Sequence, residues 1–445
     1  MKDMTETDLA QMDMTEAGRA VRAGRTTFEE LTCACLKRAE ETSELNAWER
    51  LCTTEALDAA RAQDTLLAAG YDLGPLQGMP IGLKSNIAVA GFPHTAGSQI
   101  LAEHIATRDA DVTHRLKRAG AVILGQTNMH EFAWGGTTDN PHYGQGRNAR
   151  DPSRIPAGSS GGSGAAVAAG SAMAALGTDT GGSVRLPAAL NGIYGLRPGV
   201  GKLPVDGIFP LAFSLDTVGP MTRSARDAAL LYRAMSGETD PSLEARRATL
   251  PRRLGLPVEY VRARLEAGVE AAFDGWLKSQ RARGIEIVEI DLPNMDLAVD
   301  ALVIADAAEP TTLHDAWLDR CPENYGDDVR AQLLAGRSIR ATDYLHAQRF
   351  RAAFRRRVLG ILDDVDMIVM PTLPFVAPEV GQTEVILSGH RESALTANMR
   401  FTALASCAAL PALSLPAETG DGLPVGIQLI GRDGAESDLL SFAAS

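Results

Sequence analysis

Two glycine- and serine-rich clusters, joined by an apolar segment, constrain the fold of this chain more than any other feature. The first cluster covers residues 157–164 and reads AGSSGGSG, and the second covers residues 177–183 and reads GTDTGGS. Glycine and serine favour flexible coil, so the simplest interpretation is a surface linker. A linker does not normally run into an apolar segment and emerge as a second tight turn. We therefore expect two ordered turns that flank a buried element.

The apolar segment between the clusters is too short to cross a membrane. It covers residues 164–177, which are only 14 residues rich in alanine and glycine. A membrane-spanning helix needs about 20 strongly apolar residues. We therefore expect a tightly packed buried helix here and no membrane partner.

The pattern of helices and strands predicts the α/β class. Residues 1–75 are helical in pattern, and Thr27 and Glu30 have the spacing of a capping box that opens a helix to about residue 41. A second helix follows over 53–69. From residue 78 onward short strands alternate with helices, which predicts a largely parallel or mixed sheet. The first predicted elements of this part are strands over 79–83 and 121–124 and a helix over 112–119.

We expect one large domain with a central mixed, twisted β-sheet covered by helices on both faces. Residues 1–75 are predicted to form an N-terminal helical segment packed on the core, and residues 76–445 the main domain. A mostly helical insertion is expected over about 225–366. The insertion and the C-terminal part contain predicted helices over 260–283 and 341–362 and predicted strands over 285–290, 367–370 and 425–430. The last strands are expected to rejoin the same sheet.

The charge of the chain argues against nucleic acid as a partner. The sequence has 43 lysine and arginine residues against 56 aspartate and glutamate residues, a formal net charge of −13 at pH 7. No summed positive field is available to attract phosphate backbones or an anionic membrane surface. We expect no direct contact with nucleic acid.

The cysteines and the N-terminus indicate a cytoplasmic protein. The five cysteines are an odd, scattered set that fits neither a disulfide framework nor a zinc site. Asp3 and Glu6 lie where a signal peptide needs a basic start and an apolar run. We expect a reducing compartment and no export signal.

The glycine-rich clusters do not fit a phosphate-binding loop. The first cluster has no lysine where G-x-x-x-x-G-K-[ST] requires one, and it does not fit G-x-G-x-x-G after a strand. The second cluster fits nucleophilic catalysis, in which a serine needs a base and a set of backbone N–H groups that hold the oxyanion. Gly181 and Gly182 allow a sharp turn that points successive N–H groups toward one spot beside the Ser183 hydroxyl. Ser183 is therefore the candidate nucleophile.

The candidate base is Lys84. The eight histidines lie in no motif that pairs one of them with Ser183 and an acid, which leaves a Ser-His-Asp triad open but unsupported. A lysine that acts as a base near pH 7–8 must be held neutral by burial, well below its ordinary pKa of about 10.4. Lys84 follows an apolar strand, so its stem is expected to be partly desolvated. A lone lysine at a strand end is usually exposed, and only the serine clusters reverse that expectation.

These motifs together resemble the amidase signature family. The resemblance rests on three segments, GMPIGLKSN over 78–86, GSSGGSGAAVAAG over 158–170 and GTDTGGSVR over 177–185. It extends over about residues 75–432. The resemblance implies a single large amidase signature domain and a catalytic Ser-Ser-Lys triad.

The resemblance also implies the role of each site residue. Ser183 matches the acyl-forming nucleophile, Ser159 the bridging serine that follows a cis peptide bond, and Lys84 the base. By eye Ser160 also fits the bridging place, and the family's 24-residue spacing to the nucleophile selects Ser159. The backbone groups that match the oxyanion donors belong to Thr180, Gly181, Gly182 and Ser183, and the residues assigned to substrate binding are Trp134 and Ser160.

The implied activity is hydrolysis of an amide through an acyl-enzyme, with no metal or organic cofactor. The favoured hypothesis is an independent amidase of the carboxybiuret-hydrolase or general type that acts on a small-molecule carboxamide or urea-type compound. This preference rests on the short chain and on the sequence of residues 345–350, which reads LHAQRF. The alternatives are the glutaminase subunit of a tRNA-dependent amidotransferase and a non-catalytic scaffold of the same fold. The sequence leaves open whether the chain forms a homodimer or binds a small partner subunit.

Overall fold

The computed structural model describes residues 5–237, 251–420 and 422–445. Its helices are α1 (Glu6–Gln11), α2 (Met14–Arg22), α3 (Phe28–Glu41), α4 (Thr53–Ala68), α5 (Asp111–Arg118), α6 (Gly161–Ala169), α7 (Arg185–Asn191), α8 (Ala225–Ser236), α9 (Val258–Arg262), α10 (Ala267–Ala282), α11 (Met295–Arg320), α12 (Asp327–Gly336), α13 (Ala341–Ile361), α14 (Ala394–Asn398), α15 (Ala403–Cys407) and α16 (Glu436–Ala443). Its strands are β1 (Trp48–Leu51), β2 (Pro80–Lys84), β3 (Val122–Thr127), β4 (Asp139–Asn140), β5 (Gly144–Gln145), β6 (Ala174–Asp179), β7 (Tyr194–Arg197), β8 (Thr217–Thr222), β9 (Arg253–Leu256), β10 (Glu286–Glu289), β11 (Met367–Pro371), β12 (Glu384–Leu387), β13 (His390–Ser393), β14 (Ala412–Glu418) and β15 (Pro424–Ile430).

One 11-stranded sheet forms the centre of the domain, in the order β1-β3-β2-β6-β8-β7-β14-β15-β11-β9-β10. Strand β2 runs parallel to both β3 and β6, whereas β6 and β8 are antiparallel. The sheet is therefore mixed, and helices flank it. This confirms the predicted α/β class and the single domain built on one central mixed sheet.

The two strands that carry the glycine-rich and lysine motifs lie in the middle of the sheet. Every residue of β2 and of β6 is buried, which agrees with their near-continuous apolar sequences. Because β2 and β6 are parallel neighbours, their carboxyl ends lie at the same edge of the sheet. Lys84, the last residue of β2, therefore lies near residues 177–183, which form the end of β6 and the turn that follows it.

Several local predictions agree with the structure. Thr27 and Glu30 form the predicted capping box at the start of α3. The predicted helices over 53–69 and 341–362 correspond to α4 and α13, and the predicted strands over 367–370 and 425–430 correspond to β11 and β15. Both strands join the central sheet, as expected.

Three local predictions were wrong. The helix expected over 164–177 ends at Ala169, because Gly170 takes a left-handed conformation with φ of 81°, and the chain then enters β6. The N-terminal segment also contributes β1, which pairs with β3 at the sheet edge. The helix expected over 260–283 is broken between α9 and α10, where the Glu266 N–H donates to the Pro374 carbonyl instead of a helical partner. The boundary at residue 75 stays a prediction.

Candidate active site

Lys84 is buried at the carboxyl end of β2 and faces two hydroxyl groups. Its Nζ atom lies 2.7 Å from the Ser159 Oγ and 2.8 Å from the Thr178 Oγ1. Both Lys84 and Ser159 are 0% exposed. The peptide bond between Gly158 and Ser159 is cis, as the resemblance implied. Residues separated by 75 and 94 positions in the chain are thus brought into direct contact.

Burial lowers the pKa of Lys84 to about 7. The carboxylates of Asp216 and Asp179 act in the opposite direction, but they do not offset the loss of solvation. A lysine with this pKa is neutral in about half of the molecules at pH 7, and a neutral amine has the lone pair that a base requires. Burial therefore gives Lys84 the pKa that a base near pH 7 needs, and its role as the base stays a prediction.

Thr178 is a site residue that the sequence analysis missed. Besides its contact with Lys84, its hydroxyl accepts a hydrogen bond from the Asn86 Nδ2 at 3.2 Å. Thr178 lies in β6 and alternates with Asp179, whose side chain faces two buried arginines. One signal for Thr178 was available. Side chains alternate between the two faces of a strand, and β6 lies next to the strand that ends at Lys84.

Ser160 does not have the substrate-binding place that the sequence analysis gave it. It is 0% exposed, and its hydroxyl donates to the Thr178 carbonyl at 3.2 Å and accepts from the Thr178 N–H at 3.3 Å. Ser160 also precedes α6, which packs so closely that a Cβ on Gly162 would lie 2.3 Å from the Asn128 carbonyl oxygen. The Ser160 hydroxyl thus both donates to and accepts from the backbone of Thr178. Ser160 therefore anchors the start of α6 to β6.

Ser183 is half-buried at the wall of a cavity. Its carbonyl accepts a hydrogen bond from the Ser160 N–H at 3.2 Å, so it lies directly beside the first cluster. Among the described residues, the Ser183 hydroxyl has no hydrogen-bond partner. The structure brings Lys84 and Ser159 into contact and places Ser183 in the cavity wall, without a hydrogen bond between the Ser183 hydroxyl and Ser159.

The backbone N–H groups of residues 180–183 are unused within the described chain, although buried N–H groups nearly always have a partner. The carbonyls, by contrast, are held. The Thr402 hydroxyl donates to the Gly181 carbonyl at 2.6 Å, and the Arg197 Nη1 donates to the Thr180 carbonyl at 3.3 Å. In a planar trans peptide the N–H points away from the carbonyl. The N–H groups of Gly181 and Gly182 therefore point away from Arg197 and Thr402.

Gly182 is the glycine that this turn requires. Its φ of 143° lies in a region that side chains disfavour, and a Cβ there would lie 2.7 Å from the Thr402 Oγ1. The Thr180 hydroxyl donates to the Asp216 Oδ1 at 2.6 Å, which fixes the start of the same turn. The arrangement can hold an oxyanion through N–H groups that have no other partner.

A fully buried ion cluster of Asp179, Arg185 and Arg197 lies next to the turn formed by residues 180–183. Asp179 accepts hydrogen bonds from Arg185 at 2.9 Å and from Arg197 at 2.8 Å, and all three side chains are 0% exposed. Burial alone would raise the pKa of Asp179, but the two guanidinium groups overcome this and hold it well below its usual range. Burial lowers the pKa of Arg197 to about 10. The cluster ties the end of β6 to α7 and β7.

The cavity beside Ser183 has a volume of about 280 Å³. It is mainly apolar, and Trp134, Gly181, Leu186, Leu211, Val303 and Met399 contribute to its wall. Trp134 lies in the wall of this cavity, and its role in substrate binding stays a prediction. No lysine or arginine is among the described residues that line the cavity, and Asp306 is the one acidic residue among them.

A histidine base, a metal site and a membrane-spanning helix have no support among the residues that the structure describes. No histidine side chain there is hydrogen-bonded to Ser159 or Ser183, and His130 pairs instead with Asp328 at 2.7 Å. No group of three or more histidine, cysteine, aspartate or glutamate residues in the described ranges is arranged as a metal site. None of the described helices combines the length and apolar character needed to cross a membrane.

Comparisons with known proteins give a consistent result. Residues 30–440 match the family model described as Amidase. A glutamyl-tRNA(Gln) amidotransferase subunit of the A type, from Chloroflexus aggregans, is 37% identical over 98% of this chain and 95% of that protein. Among solved structures, one described as an amidase is 36% identical, with a TM-score of 0.92 over 97% of this chain and 98% of that chain. A second, described as a vestigial protein complex that reveals the evolutionary origins of an s-triazine catabolic enzyme, is 34% identical, with a TM-score of 0.91 over 97% of each chain.

Proposed function

The chain belongs to the amidase family, and from this premise we propose that it hydrolyses an amide C–N bond through an acyl-enzyme on Ser183. The observation that carries the proposal is the buried contact of 2.7 Å between the Lys84 Nζ and the Ser159 Oγ, beside the turn that presents Ser183. The candidate nucleophile and two residues of the oxyanion turn, Thr180 and Gly181, line one cavity. The base, with a pKa of about 7, is buried behind them in contact with Ser159. This set is sufficient for acyl transfer.

In the proposed cycle, neutral Lys84 accepts the proton of Ser159, and Ser159 takes the proton of Ser183 as Ser183 attacks the carbonyl carbon. The N–H groups of residues 180–183 stabilise the oxyanion, and the relay returns the proton to the departing amine. Water then repeats the attack on the ester and releases the acid. The relay requires the Ser183 hydroxyl to turn toward Ser159 when substrate fills the cavity, as is common for catalytic contacts that tighten on binding.

For the physiological substrate, the curated relatives favour the glutaminase hypothesis over the independent hydrolase favoured in the sequence analysis. In this form the chain releases ammonia from glutamine and works with a partner protein, as the word subunit in the relatives' name suggests. The net charge of −13 fits a partner, rather than this chain, as the holder of tRNA. The five free cysteines fit a reducing compartment such as the cytoplasm.

A second candidate is the independent amidase, and a specific observation favours it. The α-carboxylate of glutamine needs a cationic or multiple N–H partner when it is desolvated. No lysine or arginine lines the cavity among the described residues, and most of its wall is apolar. The cavity is therefore better suited to an acyl group without a carboxylate, as in a small neutral carboxamide.

Ammonia release from purified protein tests both candidates. The substrates are glutamine, asparagine, butanamide and biuret, with the Ser183→Ala variant as the control for background hydrolysis. Activity on glutamine that exceeds activity on butanamide supports the glutaminase, and the reverse supports the independent amidase. Absence of Ser183-dependent ammonia release from every amide tested would refute the proposed activity.

A further inference from the structure

Two oxygen atoms at the cavity beside Ser183 lack the hydrogen-bond donor that buried oxygens normally have. They are the Asp306 Oδ1 and the Asn398 Oδ1, and both belong to residues that line the cavity. Asp306 is 8% exposed and Asn398 is 2% exposed. Neither residue belongs to the proposed relay. An unpartnered buried acceptor costs free energy unless a ligand supplies the donor.

Asp306 lies in α11, at a point where this helix approaches the oxyanion turn. Leu302, one turn earlier in α11, comes within 3.6 Å of the position that a Cβ on Gly181 would take. Val303 and Asp306 both contribute to the cavity wall on this side. In a primary amide the leaving group is ammonia alone, so the part of the substrate that reaches Asp306 from a carbonyl at Ser183 belongs to the acyl portion.

The surroundings of Asp306 favour a cationic group over an anionic one. Burial raises the pKa of Asp306 to about 8, the neighbouring Asp216 and Glu309 add to that effect, and a hydrogen bond from the Trp134 side chain opposes it. The unliganded carboxyl is therefore mostly protonated at pH 7. No lysine or arginine among the described residues lines the cavity, and Asp306 is its one acidic residue. A bound ammonium would take the place of that proton and donate to the ionised Asp306 carboxylate, whereas a bound carboxylate would find no cationic partner in the cavity wall.

We propose that Asp306 is a specificity-determining residue that binds an amine on the acyl portion of the substrate. The preferred substrates are then primary amides whose acyl chain ends in an ammonium group and carries no carboxylate. This inference rests on the proposed amide hydrolysis at Ser183. Asn398 is the second acceptor and offers a neutral hydrogen bond to the same class of group.

The test uses four amides built on one carbon skeleton. Glutamine carries both charged groups, 4-aminobutanamide lacks its carboxylate, glutaramate lacks its amine, and pentanamide replaces the ammonium of 4-aminobutanamide with a methyl group. We expect kcat/KM for 4-aminobutanamide to exceed that for pentanamide by about tenfold to hundredfold, because one hydrogen bond to a charged group is gained. Glutaramate is expected to be the poorest of the four.

Variants assign the preference to Asp306. Asp306→Asn and Asp306→Leu are expected to abolish the preference for 4-aminobutanamide while pentanamide is still hydrolysed. The control is Asp300→Asn, which removes the same charge from an exposed position of the same helix and should keep the preference. Hydrolysis of pentanamide without a preference for the amine in the wild type, or a preference that survives in both Asp306 variants, would overturn this inference alone. Failure to hydrolyse any amide would overturn the proposed function as well.

Discussion

The Lys84 Nζ lies 2.8 Å from the Thr178 Oγ1, although 94 residues separate the two in the chain. The contact follows from the sheet, because β2 and β6 are parallel neighbours that end at the same edge. Thr178 and Ser159 together orient the buried amine, and the Asn86 side chain donates to the Thr178 hydroxyl in turn. Thr178 is thus proposed to position the base.

Thr178→Val tests this positioning role. The variant keeps the shape of the side chain and removes the hydroxyl, so we expect kcat/KM to fall by about tenfold for the loss of one hydrogen bond to a charged group. The hydroxyl stabilises the protonated amine, so its loss should also shift the pH midpoint of kcat/KM downward. Thr178→Ser should restore both values. A Thr178→Val enzyme with an unchanged midpoint would argue for a purely structural role.

The pH profile of the wild type reports on Lys84. Its pKa of about 7 means that the amine is protonated, and unable to act as a base, at lower pH. We expect kcat/KM to rise about tenfold per pH unit below pH 7 and to level off above it. Lys84→Ala should lose about 10²–10⁴-fold in rate at pH 7. Near-normal turnover by this variant would assign the base to another residue.

Covalent labelling identifies the nucleophile. A fluorophosphonate should add to Ser183, because this hydroxyl lies at the cavity wall while Ser159 and Ser160 are fully buried. Intact-mass and peptide analysis should find the label on Ser183 and none in Ser183→Ala. Label on a different serine of the wild type would remove Ser183 from its proposed role.

Ser159 and Ser160 are expected to respond differently to alanine. Ser159→Ala removes the partner of the Lys84 amine, so the rate should fall by several orders of magnitude with little change in stability. Ser160→Ala removes two hydrogen bonds to the backbone of Thr178, so stability should fall by about 1–3 kcal/mol while Ser183 is still labelled. Urea unfolding and ammonia release measure the two effects. The reverse pattern would make Ser160 the bridge.

The buried cluster around Asp179 is expected to dominate local stability. Arg185→Leu leaves the Asp179 carboxylate with one of its two guanidinium partners and should destabilise the fold by about 3–5 kcal/mol. Arg61→Leu, which breaks an exposed ion pair with Glu29, should change stability little. Because the pKa of Asp179 is held below its unfolded value, its stabilising effect is present above about pH 4 and is lost as the pH falls further. Urea midpoints of the wild type and both variants at pH 7, at pH 4 and at about pH 2 check this, with the loss expected only at the lowest pH.

The sequence by itself determined the class of fold and the candidate base and nucleophile, Lys84 and Ser183, and the family resemblance selected Ser159 over Ser160. Capping at Thr27, the apolar runs of β2 and β6, and the clusters around Ser159 and Ser183 are local patterns, and local patterns depend only on neighbouring residues. Tertiary structure decided the remainder. Residues 164–177 form a helix followed by a strand, because residues 174–179 pair with β2 and β8 in the central sheet. Strand β1 forms because residues 48–51 pair with β3 at the edge of the sheet.

The finer features of the site also depended on tertiary structure. Ser160 and Ser159 are adjacent and chemically identical, and only the packing of the first cluster against β6 directs Ser160 to Thr178 and Ser159 to Lys84. Thr178 lies within the second cluster and Asp306 lies in no motif, and the roles of both were missed because their environments come from residues distant in the chain. Hydrogen-bond partners, burial and pKa depend on contacts between segments that are distant in the chain. These contacts cannot be predicted from local patterns in a single sequence.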